Sequence, residues 1–124
     1  MAINFSYDAG KKILRVFVTG QVDLDEYQSV MQSIISSKDH LPNVRTIWDL
    51  TALDFSSLDR QREEQIVYIH KTVPERSGAT VAYVVANELG FGMMRMLEAL
   101  FGDGARSRVF YDYAEAEEWL LKNS

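Results

Sequence analysis

No cysteine occurs among the 124 residues. That excludes disulfides, a thiolate metal site and a thiol nucleophile. Histidine is nearly as scarce. There are two, His40 and His70, and two isolated imidazoles do not supply the cluster of ligands a metal needs. No Gly-x-Ser-x-Gly string is present, so the nucleophile elbow of the α/β hydrolases is missing. Basic residues are outnumbered, 13 against 18 acidic, for a net charge of −5. A surface of that sign does not attract nucleic acid or an anionic membrane. No apolar run approaches the roughly 18–20 residues of a membrane-spanning helix. The opening Met1-Ala2-Ile3-Asn4-Phe5-Ser6-Tyr7 lacks the basic segment and apolar core of a secretory signal. These absences lead us to expect a cytoplasmic protein that needs no metal or organic cofactor and is not an enzyme.

What is present is the composition of a globular chain, 47% hydrophobic and 25% charged. Its length suits one domain over residues 1–124, with no linker or repeat to divide it. The most telling segment runs from Gly78 to Phe101. A near-continuous apolar strand, Ala79–Ala86, passes through an Asn-Glu-Leu-Gly turn into a helix from Phe91 or Gly92 to Phe101, closed by Gly102-Asp103-Gly104. A strand apolar on both faces that feeds a helix is the core unit of an α/β fold.

Around it, Ile3–Tyr7 and Ile13–Val18 read as strands whose short connection makes them an antiparallel hairpin. Asp23 opens a first helix as N-cap, with Glu26 completing a capping-box pattern and Leu24, Tyr27, Val30, Met31, Ile34 and Ile35 on one face. Val44–Leu50 is a third strand. A second helix extends from about Ser57 to Val73, with Ile66, Ile69, His70 and Val73 as its stripe, a solvated Arg-Gln-Arg-Glu-Glu-Gln run before it, and Pro74 as its stop. Arg108–Tyr111 is a short fifth strand, and Tyr113–Lys122 a last helix with Ala116, Trp119 and Leu120 inward. The order ββαβαβαβα predicts a two-layer α/β sandwich: a mixed five-stranded sheet, opened by the hairpin and continued in parallel βα units, with about four helices.

Several strings resemble the SpoIIAA-like branch of the STAS superfamily: Trp48-Asp49-Leu50-Thr51, Ala82-Tyr83-Val84-Val85-Ala86, Gly90-Phe91-Gly92-Met93-Met94-Arg95-Met96, and the closing Val109-Phe110 with Glu115-Ala116-Glu117-Glu118-Trp119-Leu120. The resemblance spans nearly the whole chain. It implies a small regulatory or protein-binding domain whose relatives include anti-sigma-factor antagonists and the lipid-binding CRAL-TRIO fold. In the antagonists an Asp-Ser-Ser/Thr-Gly segment carries the phosphate acceptor. Here Ser56 and Ser57 arrive near that place, but Phe55 stands before them and Leu58 after. The pattern is broken, and one serine is expected to cap the second helix instead.

Asp49 and Asp54 bracket the same strand exit, where α/β folds place ligands, yet two acids without a base or a third ligand read as turn caps. Gly90-Phe91-Gly92 lacks the third glycine of a dinucleotide loop, since Arg95 stands there. Its glycines are expected to allow close approach of helix to sheet. The third helix is the better lead. Phe91, Met93, Met94, Met96, Leu97, Leu100 and Phe101 leave only Arg95 and Glu98 clearly polar, an arc wider than the ~100° of an ordinary surface helix. Met-rich surfaces adapt to ligands and partners. Phe91, Met93, Met94, Arg95, Met96, Leu97 and Phe101 are therefore the candidate binding residues. The expected occupant is a protein partner or a second copy in a homodimer; the alternative is a small apolar or lipid-like molecule, and an enzyme working through Asp49, Asp54 and Ser57 is a third. A cavity beside this helix favours the carrier, a flat apolar patch the protein-binding module, and convergent polar groups in a cleft the enzyme.

Overall fold

Alternation of apolar and polar residues makes strands of the first two segments, and their short connection pairs them. In the computed structural model, which describes residues 1–102 and 106–124, β1 (Ala2–Asp8) and β2 (Ile13–Gly20) form the expected hairpin, with Ile3 opposite Val18 and Phe5 opposite Val16. β3 (Thr46–Leu53), β4 (Thr80–Val84) and β5 (Arg106–Phe110) then add in parallel, giving a five-stranded sheet in chain order. The connections carry α1 (Leu24–Ser36), α2 (Arg60–Lys71) and α3 (Glu88–Phe101), and α4 (Tyr113–Asn123) follows β5. Short 3₁₀ turns at Phe55–Ser57 and Pro74–Arg76 flank α2.

The four helices divide between two faces. Leu14, Val16, Val18, Trp48 and Leu50 point to the face covered by α1, α2 and α3, and join Val30, Met31, Ile34, Ile66, Val67, Met94 and Leu97 in the main core. Ile13, Ile47, Ala82, Val84 and Phe110 point to the other face and pack on Ala116 and Leu120 of α4. The layering is thus helix–sheet–helix, not two layers. The reason lies in the strands: Ile13 beside Leu14 and Ile47 beside Trp48 are apolar on both sides of the sheet, so both sides must be covered. Polar ties reinforce the second face. Arg15 donates to Asp8 (2.8 Å), to the Tyr113 hydroxyl (3.0 Å) and to Glu117, and Lys11 donates to Glu117 at 3.0 Å.

Several boundaries differ from the sequence reading for local reasons. Asp23 does cap α1, accepting from the N–H groups of Asp25 and Glu26. The capping box is not closed, because the Glu26 carboxylate reaches across to the Ile3 N–H at 2.9 Å. The Asn-Glu-Leu-Gly string is no turn but the start of α3: Asn87 is the N-cap, accepting from the Gly90 N–H at 3.1 Å. Gly90 does allow close approach, since a Cβ there would lie 2.9 Å from Phe55 and 3.1 Å from Val85, whereas Gly92 faces open space. α3 ends at Gly102, whose φ of 86° suits glycine. Asp103 and Gly104 of the expected closure lie outside the described residues.

Candidate functional site

The space between the sheet and its three-helix layer is not filled. A cavity of about 80 Å³ remains there, several times the ~10–15 Å³ that one ordered water needs. The strand period of two turns Trp48 with Leu50, and Val81 with Tyr83, toward it. Helical spacing brings Tyr27 with Met31 from α1, Ile66 with His70 from α2, and Met94, Leu97 and Phe101 from α3. Most of the wall is hydrocarbon. The polar exceptions are the hydroxyls of Tyr27 and Tyr83, the imidazole of His70 and the guanidinium of Arg76, which arrives from the Pro74–Arg76 turn.

These polar groups set the electrostatics. Burial pushes the Tyr27 phenol up to about 12 and Tyr83 further, so both are neutral donors at pH 7. Burial, assisted by the charge of Arg76, holds His70 below its usual value, so its imidazole is neutral too. Its ring lies against Phe101 with centroids 4.6 Å apart. Arg76 is 4% exposed. It donates to the carbonyls of Pro42 and Val44, each at 2.9 Å, and to the Thr46 hydroxyl at 2.8 Å. His70, Arg76, Val81, Tyr83 and Phe101 also wall a second, outer cleft of about 230 Å³, with Ser77, Arg106 and Ser107 at its rim.

The candidate residues of α3 separate. Met94 and Leu97 are buried and, with Phe101, line the cavity. Phe91 stacks on Tyr111 at 5.1 Å, and Met93 is half-buried against the core. Arg95 is exposed and pairs with Glu98 at 3.6 Å. Met96, 50% exposed, and Leu89, 55% exposed, form what is left of an outward apolar stripe. Neighbouring elements cover most of the wide arc.

The serines do not cap α2. Asp59 does so, accepting from the Arg62 N–H at 2.8 Å. Ser57 instead ends the preceding 3₁₀ turn, where its hydroxyl donates to the Asp54 carbonyl at 2.6 Å and accepts from the Val22 N–H at 2.9 Å. Its oxygen is thereby committed to tying the β2–α1 loop to the strand exit. Ser56 is exposed and donates to the Asp54 carboxylate. Asp49 accepts from the Thr51 N–H and hydroxyl at 3.1 and 2.6 Å. Asp54 caps the 3₁₀ turn, as expected, whereas Asp49 lies inside β3 and its carboxylate holds the strand's own Thr51, where the register against β2 shifts. His40 bonds the Leu41 carbonyl and lies against the Tyr7 ring. Among the described residues, no three potential ligands cluster to hold a metal ion, and no helix is long and apolar enough to cross a membrane.

Sequence reasoning missed Tyr27, Trp48, Arg76 and Tyr83 as cavity residues. Tyr83 carried a signal: a polar-tipped aromatic in a strand apolar on both sides demands a reason. Arg76 carried none, sitting in a segment with the appearance of an ordinary surface loop. Glu63 was missed in the opposite sense, since it belongs to the run expected to be solvated yet is 1% exposed. It falls on the same helical stripe as Ile66, Val67 and His70.

No protein-family model matches the chain, and no curated protein matches it. Among solved structures, an uncharacterized protein of the DUF3478 family from Shewanella loihica PV-4, with a SpoIIAA-like fold, superposes with a TM-score of 0.67 at 18% identity. The match covers 96% of this chain and 92% of that one. An identity this low speaks to the fold alone, and on that point the two readings meet: the chain has a SpoIIAA-like fold.

Proposed function

We propose that this chain is a STAS-like binding module that takes up a small, largely apolar molecule between its sheet and its three-helix layer. The cavity carries this reading. Well-packed interiors leave few voids larger than a water, and this one collects side chains from three strands, three helices and a turn. A mostly apolar wall with a few polar groups is the usual make-up of a small-molecule site. Three of the seven candidate residues of α3, Met94, Leu97 and Phe101, line it, and methionine suits a wall that must adjust to an occupant. Among the described residues the wall's polar members include no acid, and Asp49, Asp54 and Ser57 are committed to local hydrogen bonds, so the reading is a binding function and not catalysis.

Trp48 lies in the wall and reports occupancy. Titration with octanol, a neutral chain, is expected to shift its fluorescence saturably and to raise the melting temperature. A wild-type protein that shows neither, and that emerges from native mass spectrometry without a bound small molecule, overturns the reading.

A second reading is self-association through the outward stripe of α3, favoured by the exposure of Leu89 and Met96. Its test is the oligomeric state in solution.

A further inference from the structure

Among the described residues, Arg76 has no counter-charge. Its three acceptors are two carbonyls and a hydroxyl, and no carboxylate lies within ion-pair distance of it among the described residues. Glu98, a carboxylate close enough to act on Tyr83, is committed elsewhere, to the Ser107 hydroxyl at 2.6 Å and to Arg95. A buried cation without a partner is expensive, because the charge leaves water and gains no opposite charge in return. The neutral acceptors orient the guanidinium while engaging only part of its fork of five N–H groups.

The position of that charge is informative. Arg76 stands in the wall shared by the inner cavity and the outer cleft, beside the Tyr83 hydroxyl and the neutral His70. On the inner side the lining is mostly hydrocarbon, with the Tyr27 hydroxyl. On the outer side the rim carries a second cation, Arg106, with the hydroxyls of Ser77 and Ser107. Resting on the small-molecule reading above, we propose that the ligand is a single-chain amphiphile with an anionic head, a carboxylate or a phosphate. The head sits against Arg76 and Tyr83 at the cleft, and the tail enters the cavity past the His70–Phe101 pair. Such a ligand supplies the missing counter-charge, and its head accepts charge-assisted hydrogen bonds from a donor that is already oriented.

The test compares octanoate with octanol, which share a tail and differ in the head, by Trp48 fluorescence and calorimetry at pH 7. Octanoate is expected to bind the wild type at least about tenfold more tightly than octanol, the advantage of a charged hydrogen bond over a neutral one. Arg76→Gln is expected to erase that ratio, whereas Arg76→Lys retains part of it. Octyl phosphate against octanoate distinguishes the two head groups, and preference for either over octanol supports the anionic head. Equal affinity for octanol, octanoate and octyl phosphate overturns this inference and leaves the cavity reading standing, while failure of all three to bind overturns the two together. Inorganic phosphate that binds as tightly as octyl phosphate also overturns it, since the tail would then contribute nothing. Should Arg76→Gln fail to fold, the wild-type ratio and the Arg76→Lys variant decide.

Discussion

At the scale of single residues, the informative side chains are those whose surroundings contradict their chemistry. Glu63 is the sharpest case after Arg76. It is 1% exposed, and its Oε2 finds no hydrogen-bond partner among the described residues. Burial holds its carboxyl above the usual 4.5. The sign follows directly: the unfolded chain ionises at the ordinary value and the folded one later. Stability present in acid is therefore lost as pH rises from about 4.5 through the folded value. Glu63→Gln keeps the shape and removes the charge. It is expected to raise stability at pH 7 by about 1 kcal/mol and to flatten the fall between pH 4.5 and 7. Thermal melts across that range check this, and a lower melting temperature at pH 7 would contradict it. Ser57 makes the complementary point. A serine ahead of a helix has the sequence of a cap, yet Ser57 ends a 3₁₀ turn, Leu58 and Asp59 stand between it and α2, and its hydroxyl holds two loops together instead.

At the scale of elements, α3 is where composition and packing part company. Its apolar arc is wide because it touches the sheet, the 3₁₀ turn at Phe55, α2 and β5 at once, not because a large surface is left bare. The helical phase is now fixed. Met94 is 3% exposed and Met96 50%, so the two methionines, two positions apart, face opposite ways. Met94→Glu buries a charge among Leu97, Phe55 and the cavity wall and is expected to unfold the protein or to remove at least about 3 kcal/mol. Met96→Glu is expected to stay within about 0.5 kcal/mol of the wild type. Denaturant melts check both. Light scattering on the Met96→Glu variant decides the self-association reading, because a wild-type dimer that survives the substitution does not use this stripe.

At the scale of the whole molecule, the sheet separates two functions. One face, under α1, α2 and α3, holds the cavity. The other, under α4, is closed by Ala116 and Leu120 on Ile13, Ile47, Ala82 and Val84, and is clamped to the hairpin by Arg15, Lys11, Asp8 and Glu117. Leu120 is fully buried. Leu120→Ala is expected to lower stability by about 2–5 kcal/mol while leaving octanol affinity unchanged, because the sheet lies between it and the cavity. Chemical denaturation with a parallel binding titration tests this. A loss of binding in the folded variant would mean that the two faces are coupled through the sheet.

The order of strands and helices, the hairpin, the cap at Asp23, the stop at Pro74 and the half-burial of His70 were all legible in the chain. Each rests on residues within a few positions of one another, where period, capping and turn chemistry act. Even the errors at that level were small: Asn87 starting α3 early, and Asp59 instead of a serine capping α2. What the chain alone did not reveal is everything that depends on which distant elements meet. Tyr27, Trp48, Arg76 and Tyr83 come from four separate elements, and no spacing rule links them. Whether Arg76 or Glu63 is solvated is decided by what packs over it, and a charged residue in a polar run looks the same in either case. The placement of α4 on its own face follows the same logic. Local sequence determined the elements because their energetics are local. Tertiary packing alone decided the cavity and its buried charge, because burial is a property of neighbours that the chain brings from afar.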